Sequence, residues 1–154
     1  MLHVLAAGGL VSFINFGIHA LMTALVVAVT KRTATRTDHL HALMRLIALL
    51  SVTMFVLMAA HTIEVVVWAV FYWITAFPIQ ETGGAKFAGG YFEFAFENYT
   101  ALGYGDAVAG AGWRLIGPIT GLNGLLLIGW SVAIIFEVMR LADVYVGTVQ
   151  KRSR

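Results

Sequence analysis

The chain has 154 residues, of which 60% are hydrophobic and only 12% are charged, and its formal net charge is +2. This composition is too apolar for a soluble domain of this size and is typical of membrane proteins. The absence of cysteine excludes disulfides and thiolate metal sites. The basic residues are not gathered into a nucleic-acid-binding patch, and no nucleophile–base pattern supports an enzyme.

Three apolar segments are each long enough to cross a bilayer, which takes about 20 residues. Residues 4–30, 46–77 and 115–139 therefore predict three transmembrane helices, and Pro78 ends the second. The polar segment 31–45 predicts a loop between the first two helices. The later part of that loop has the apolar spacing of a short interfacial helix.

Basic residues are unevenly distributed around these segments. Residues 31–45 and the C-terminal tail hold eight of the ten lysines and arginines, whereas residues 78–114 hold only Lys86 and Arg114. Because cytoplasmic loops carry an excess of basic residues, we expect a cytoplasmic C-terminus and an N-terminus outside the cell membrane. The same basic segments predict contact with anionic lipid.

A glycine-rich motif lies between the second and third apolar segments. Residues 91–100 predict a helix too short to cross the membrane, and the chain continues as Thr100-Ala101-Leu102-Gly103-Tyr104-Gly105-Asp106. Non-helical backbone at membrane depth is tolerated only where protein buries it or water lines it, and a re-entrant loop meets this condition. The two glycines permit a strand that turns its carbonyl oxygens toward one axis. Potassium filters are built in this way from four T-V-G-Y-G loops.

On these residues the sequence resembles the pore module of tetrameric potassium channels of the prokaryotic type, over about residues 46–140. The resemblance implies an all-α membrane protein with three transmembrane helices, a re-entrant pore helix and a selectivity filter. It implies a homotetramer that conducts K⁺, with no cofactor and no metal other than K⁺ in the filter. The predicted domains are residues 1–45 (first helix and cytoplasmic loop), 46–147 (pore domain) and 148–154 (basic tail).

The resemblance places the ion-binding carbonyls at Ala101, Leu102, Gly103 and Tyr104, with Gly105 at the outer mouth. Leu102 replaces a valine of the family pattern, and Ala101 replaces the threonine whose hydroxyl completes the innermost site. We therefore expect potassium selectivity with an altered innermost site, because selectivity depends on the number and field strength of the coordinating oxygens. The alternatives are a weakly selective cation channel and a non-conducting membrane regulatory subunit.

Three residues are expected to support the filter, namely Glu97, Thr100 and Asp106. In several relatives a glutamate at this spacing pairs with the filter aspartate and shares a proton or a water with it. Two carboxylates at close range cannot both ionise cheaply, so one pKa should rise. Alternatively, Glu97 faces the outer vestibule as a solvated charge.

The third apolar segment carries the residues that the resemblance assigns to gating. Gly124 matches the family's hinge glycine, and Ile128, Val132 and Phe136 follow it at helical spacing and would line the cavity. Four Phe136 side chains would form a hydrophobic constriction. Alternatively, the glycines serve close helix packing and Phe136 faces a neighbouring helix.

His61 and Glu64 lie one helical turn apart in the second apolar segment. An ionisable residue inside a membrane is a functional hypothesis, and histidine titrates in the physiological range. Alternatively, the two form a hydrogen-bonded pair, or bind Asn15 or His19, and fix helix packing. Two ligands do not make a metal site, and a third would have to come from His19.

Overall fold

The structure is a computed structural model that describes residues 1–82, 90–103 and 105–152, with side chains described up to residue 142. Its elements in chain order are α1 (Leu2–Arg36), α2 (Ala42–Ile74), β1 (Ile79–Glu81), α3 (Tyr91–Tyr99), β2 (Ala107–Ala109) and α4 (Ile116–Arg152). Within the described part of the chain, α1, α2 and α4 are long and apolar enough to cross a membrane. The prediction of an all-α membrane protein with a short helix between the second and third spans is confirmed.

The long helices extend beyond the predicted spans. α1 continues through Arg36 and α2 begins at Ala42, so most of the predicted basic loop, with its interfacial helix, belongs to these two helices. α4 likewise continues through Arg152, so the tail is helical as far as the structure describes it. Because lysine and arginine are good helix formers, a change from apolar to basic composition does not by itself end a helix.

A specific backbone motif ends α2. Ala76 has a left-handed φ of 46°, and the Phe77 N–H donates to the Tyr72 carbonyl at 2.9 Å. This six-residue closure with a left-handed residue is the Schellman motif of helix C-termini. Pro78 follows at a position where a helix could not continue.

Two short strands, one before α3 in the chain and one after it, pair with each other. β1 and β2 are antiparallel, with Ile79 opposite Ala109 and Glu81 opposite Ala107. The pairing continues at Thr82, whose N–H donates to the carbonyl of Asp106 at 2.9 Å. The segment that enters α3 is therefore tied to the segment that leaves the glycine-rich motif.

The chain divides into two compact units. The loop unit comprises Met1–His19 and His61–Ile128, and it contains α3, both strands and the glycine-rich motif. The helix unit comprises Ala20–Ala60 and Gly129–Arg154. Each unit has its own core.

Aromatic side chains dominate the core of the loop unit. Tyr72 packs against Phe77 with ring centroids 4.7 Å apart and against Phe94 at 5.3 Å, and all three side chains are buried. The helix unit instead has two small aliphatic clusters. These contain Ala34, Leu49, Val138 and Ala142 in one case, and Val26, Val56 and Leu57 in the other.

Candidate functional site

Three described residues of the glycine-rich motif have a left-handed backbone. φ is 55° at Ala101, 54° at Gly103 and 81° at Gly105, whereas Leu102 has no left-handed φ. Alternating right- and left-handed residues align successive peptide groups, so that their N–H groups share one side of the strand and their carbonyls share the other. Tyr104 is the fourth residue whose carbonyl is predicted to bind the ion, and it lies outside the described residues.

Hydrogen bonds hold both ends of this strand. The N–H groups of Ala101 and Leu102 donate to the carbonyls of Asn98 and Glu97, at 3.0 and 3.1 Å. At the C-terminal end, the Thr82 hydroxyl donates to the Gly105 carbonyl. The strand is therefore attached to α3 at its N-terminal end and to the strand pair at its C-terminal end.

Glu97 and Asp106 flank the strand, the first with a buried and the second with a partly buried side chain. Among the described residues, Oε1 of Glu97 and Oδ1 of Asp106 are buried and have no hydrogen-bond partner. Burial, and then the charges of Asp106 and Glu93, raise the pKa of Glu97 above its ordinary value of 4.5. An uncharged Glu97 would carry a proton that a neighbouring carboxylate can accept. The third predicted support, Thr100, uses its hydroxyl to cap α3 by donating to the Phe96 carbonyl at 2.9 Å.

Three glycines of α4 lie against the C-terminal end of α3. A Cβ at Gly117 would lie 2.6 Å from Oδ1 of Asn98, and a Cβ at Gly121 would lie 3.1 Å from the Asn98 carbonyl oxygen. A Cβ at Gly124 would overlap the carbonyl oxygen of Tyr99. These glycines permit contact between the two backbones. The hinge function of Gly124 stays a prediction beside this packing function.

The other predicted gating residues differ in exposure. Val132 and Phe136 are 61% and 63% exposed, whereas Ile128 is partly buried and packs against the core of the loop unit. An exposed apolar side chain on a membrane helix faces lipid, another chain or a pore. Their cavity-lining function therefore stays a prediction.

Four buried or partly buried side chains form what is here called the His–Glu cluster. Glu64 lies at its centre and contacts His19, His61 and Tyr99. His19 Nδ1 lies 2.8 Å from Glu64 Oε1, and His61 Nδ1 lies 3.0 Å from Oε2. The Tyr99 hydroxyl donates to the same Oε2. The predicted pair of His61 and Glu64 is thus joined by His19, and by Tyr99, which sequence reasoning missed. Tyr99 is 35 positions from Glu64, and no spacing pattern connects the two.

Further buried hydrogen bonds connect α1, α2 and α4 in the loop unit. The Asn15 amide and the Trp68 indole both donate to the Asn123 side-chain oxygen, each at 3.0 Å. Tyr72 and Thr120 share a hydrogen bond of 2.7 Å between their hydroxyls. In an apolar environment such bonds favour one helix register over others.

Three membrane-spanning helices, with a short helix and a glycine-rich strand before the last of them, define an integral membrane protein of the channel class. Residues 46–141 match the profile of a protein family described as ion channels. The chain belongs to this ion-channel family. The match includes most of α2 and α4 and all of α3 and the strand. No curated protein and no solved structure matches the chain.

Proposed function

We propose that the protein is a potassium-selective channel that conducts K⁺ passively through a pore formed by four chains. The observation that supports this most directly is the left-handed backbone at Ala101, Gly103 and Gly105 within the Gly-Tyr-Gly motif of an ion-channel family member. One such strand offers carbonyl oxygens to one side only. A cation that loses its water needs oxygens all around it, and four symmetry-related strands provide them.

The proposed ion ligands are the carbonyls of residues 101–105. Ala101 has no hydroxyl, so the innermost site would hold fewer oxygens than a site completed by threonine. This supports a second candidate function, a weakly selective cation channel, because selectivity follows the number and field strength of the oxygens. A non-conducting regulatory subunit is the candidate outside the channel class.

The purified chain in potassium-loaded liposomes distinguishes these candidates. We expect K⁺ flux without any partner protein, and a bi-ionic reversal potential that favours K⁺ strongly over Na⁺. Flux with a permeability ratio near one would establish the weakly selective channel, and absence of flux from correctly inserted protein would support the regulatory subunit.

A pair of glycine variants relates the flux to the filter strand. Gly103 and Gly112 both have a left-handed φ (54° and 84°), and at both positions an added Cβ meets no atom of the described residues within 4 Å. Alanine therefore introduces similar backbone strain at each, on the order of 1–3 kcal/mol. We expect Gly103→Ala to abolish selective flux and Gly112→Ala to preserve it. Equal effects would mean that the strand has no special function in conduction.

Glu97 and Asp106 are proposed to share a proton or a water behind the filter. Their unpartnered buried oxygens and the raised pKa of Glu97 support this pairing.

The proposed hinge and cavity residues lie on α4 and are Gly124, Ile128, Val132 and Phe136. The exposed Phe136 is proposed to form the constriction. Lining by Phe136 can be tested by Phe136→Ala, which should increase the open probability if the constriction closes by dewetting.

The proposed orientation has the N-terminus outside the cell membrane and the C-terminus in the cytoplasm. The excess of basic residues in 31–45 and after 139 supports it. Because the chain has no cysteine, a single cysteine added at either end can be labelled with a membrane-impermeant reagent. Labelling of both ends from the same side would contradict the orientation.

Anionic lipid is a proposed partner on the cytoplasmic side. A cavity in the helix unit is lined by Lys31, Thr35, Asp38 and Arg45, among others. The Arg45 guanidinium is held there by Asp38 at 3.2 Å and by the Ala34 carbonyl at 3.1 Å, while Lys31 supplies a second cation for a phosphate group. Comparison of flux in neutral and anionic liposomes, with Lys31→Gln as the variant, tests this partner.

A further inference from the structure

The His–Glu cluster brings three metal-ligating side chains to one place in the loop unit. One donor atom each from His19, His61 and Glu64 lies within 4.8 Å of the other two. Each imidazole faces a different oxygen of the same carboxylate, and the two imidazole centroids are 5.5 Å apart. The Glu64 carboxylate therefore lies between the two imidazoles and contacts both.

The donor set is one that transition metals favour. Two imidazoles and one carboxylate form the three-ligand set of many zinc sites that keep one open position. His61 and Glu64 are three residues apart on α2 and His19 lies on α1, which is how helical proteins build metal sites from neighbouring helices. Donors on a zinc tetrahedron lie about 3.3 Å apart, given bond lengths of about 2.0–2.2 Å. The present His–Glu separations of 2.8 and 3.0 Å would need to open by a few tenths of an ångström, and the two imidazole donors, which lie within 4.8 Å of each other, would need to approach to a similar distance.

The environment of Glu64 favours a bound cation. The Glu64 and His19 side chains are completely buried, and a charge at such a position in a membrane helix is costly unless it is compensated. His61 is 20% exposed at its side chain and provides an approach for an ion. We infer that His19, His61 and Glu64 form a binding site for a divalent transition-metal ion, with Zn²⁺ the ion that this donor set fits best.

Metal binding at this site would act on the neighbouring pore helix. Tyr99 is the last residue of α3 and donates its hydroxyl to the Glu64 oxygen that faces His61. Outer hydrogen bonds of this kind orient metal ligands. A metal ion and Tyr99 both bind Glu64, so occupancy of the metal site would change the hydrogen bond between Tyr99 and Glu64. Tyr99 directly precedes Thr100 and the proposed filter strand. This regulatory consequence rests on the proposed channel function, whereas the binding site does not.

The binding test uses the full-length protein in nanodiscs, titrated with Zn²⁺ and, in parallel, with Co²⁺ as a spectroscopic probe. We expect saturation at one ion per chain, and the visible absorption of four-coordinate Co²⁺ that disappears when Zn²⁺ is added. Absence of saturable binding to the folded wild-type protein would overturn the inference, whatever the result of the flux assay.

Glutamine variants identify the ligands, since glutamine keeps a hydrogen-bonding group in the cluster. His19→Gln, His61→Gln and Glu64→Gln should each weaken Zn²⁺ binding by at least the ~10–100-fold known for changes in outer-shell partners. The matched control is the double variant His39→Gln with His41→Gln, which removes the two histidines near the α1–α2 connection. Unchanged binding in that control is expected. Binding that is lost there and retained in His19→Gln would overturn the assignment.

Tyr99→Phe separates binding from regulation. This variant keeps all three ligands, so Zn²⁺ should still bind with an affinity within ~10–100-fold of wild type. If wild-type flux changes on Zn²⁺ addition, the Tyr99→Phe variant should show a smaller change. Zn²⁺ binding without any change in wild-type flux would overturn the regulatory consequence and leave the site established. A chain that binds Zn²⁺ but never conducts would contradict the proposed function alone.

Discussion

The loop unit and the helix unit hold their helices together in different ways. The loop unit buries a set of hydrogen-bonded polar side chains around Glu64 and Asn123 beside an aromatic core. Among the described side chains, the helix unit has two small aliphatic clusters and a buried Arg45 held by Asp38 and the Ala34 carbonyl. Its hydroxyl contact between Thr30 and Thr53 is long, at 3.4 Å. A buried polar group is costly unless its partners are in place, so the hydrogen bonds around Glu64 and Asn123 favour one arrangement of the helices. These hydrogen bonds lie in the unit that also contains the non-helical glycine-rich strand.

The largest expected effect tests backbone contact in the loop unit. Gly124→Ala would place a Cβ on the Tyr99 carbonyl, whereas an added Cβ at Gly129, in the helix unit, meets nothing within 4 Å. Overpacking against backbone should cost about 3 kcal/mol, while Gly129→Ala should stabilise its helix by about 0.5–1 kcal/mol. Thermal unfolding in detergent measures both. Equal stability of the two variants would mean that the contact at Gly124 is easily relaxed.

The next effect concerns Glu97, whose ionised form is disfavoured in the folded chain. Between pH 4.5 and the raised pKa, the folded chain binds more protons than the unfolded chain, so wild-type stability should fall as the pH rises through this window. Glu97→Gln should remove that dependence, and Glu97→Ala should change the open probability more than Glu97→Gln does. Alanine would remove the proposed hydrogen bond to Asp106, and a hydrogen bond to a charged group is worth about 1.5–3 kcal/mol, whereas glutamine keeps a hydrogen-bonding group.

Glu81→Gln is the control for this prediction, because Glu81 is an exposed carboxylate of the same unit and is not among the charges that raise the pKa of Glu97. It should leave the pH dependence of unfolding and the open probability of the channel close to wild type. The same pH dependence in Glu97→Gln as in wild type would show that Glu97 is solvated.

A smaller effect is expected from backbone strain. Ala101 and Ala76 both have left-handed φ values, 55° and 46°, which glycine adopts freely and β-branched residues adopt with difficulty. Ala101→Thr should therefore destabilise the chain further, because a β-branched side chain fits a left-handed backbone less well than alanine does, although it supplies the hydroxyl of the family pattern. Ala101→Gly and Ala76→Gly should both stabilise, and only the former should alter ion block. Unfolding curves and recordings with internal blockers measure the two readouts; a fully stable threonine variant would contradict the strain.

Removal of one buried hydroxyl from each unit compares the two units through a smaller loss of stability. Tyr72→Phe removes the 2.7 Å hydrogen bond to Thr120. Thr53→Val removes the long contact with Thr30 and the 2.9 Å bond that the same hydroxyl donates to the Leu49 carbonyl, a type of bond within a helix that adds little to its stability. Interhelical hydrogen bonds in membranes are worth about 0.6 kcal/mol on average. We expect a loss of this size or greater for Tyr72→Phe and almost none for Thr53→Val, measured by unfolding in mixed micelles. The reverse ranking would break the comparison between the units.

The smallest effect is expected at Arg140 in the helix unit. Its ion pair with Glu137, at 2.7 Å, lies on an exposed part of α4, where water and salt screen the attraction. Arg140→Gln should leave thermal unfolding unchanged at low and at high salt. A salt-dependent loss of stability would indicate that this pair is buried in the assembled protein.

Sequence reasoning succeeded where a single segment carries the signal. Apolar length predicts the three spans, and a short helix before the glycine-rich motif predicts α3 at residues 91–99. β1 and β2 were missed because three-residue strands show no alternation. The ends of α1 and α4 were placed too early because basic residues sustain helices.

Contacts through space were harder to predict. The spacing of three residues indicates that His61 and Glu64 share a face, but 45 positions separate His19 from Glu64, and only the packing of α1 against α2 brings them together. Gly124 shows the same limit. The sequence leaves hinge and packing functions open, and the nearby Tyr99 carbonyl is visible only once α3 and α4 are placed.

The pairing of β1 with β2 has a consequence for how the chain opens. Between Thr82 and Asp106, which are joined by a 2.9 Å hydrogen bond, lie α3 and the glycine-rich strand, so this stretch of the chain is a loop whose two ends are held together. Extending such a loop adds little entropic cost, about 0.6 kcal/mol for each doubling of length. A closed loop of this kind can exchange between shapes, or unfold locally, as one cooperative segment. Changes in the glycine-rich strand can therefore occur while the backbone hydrogen bonds of α2 and α4 stay intact.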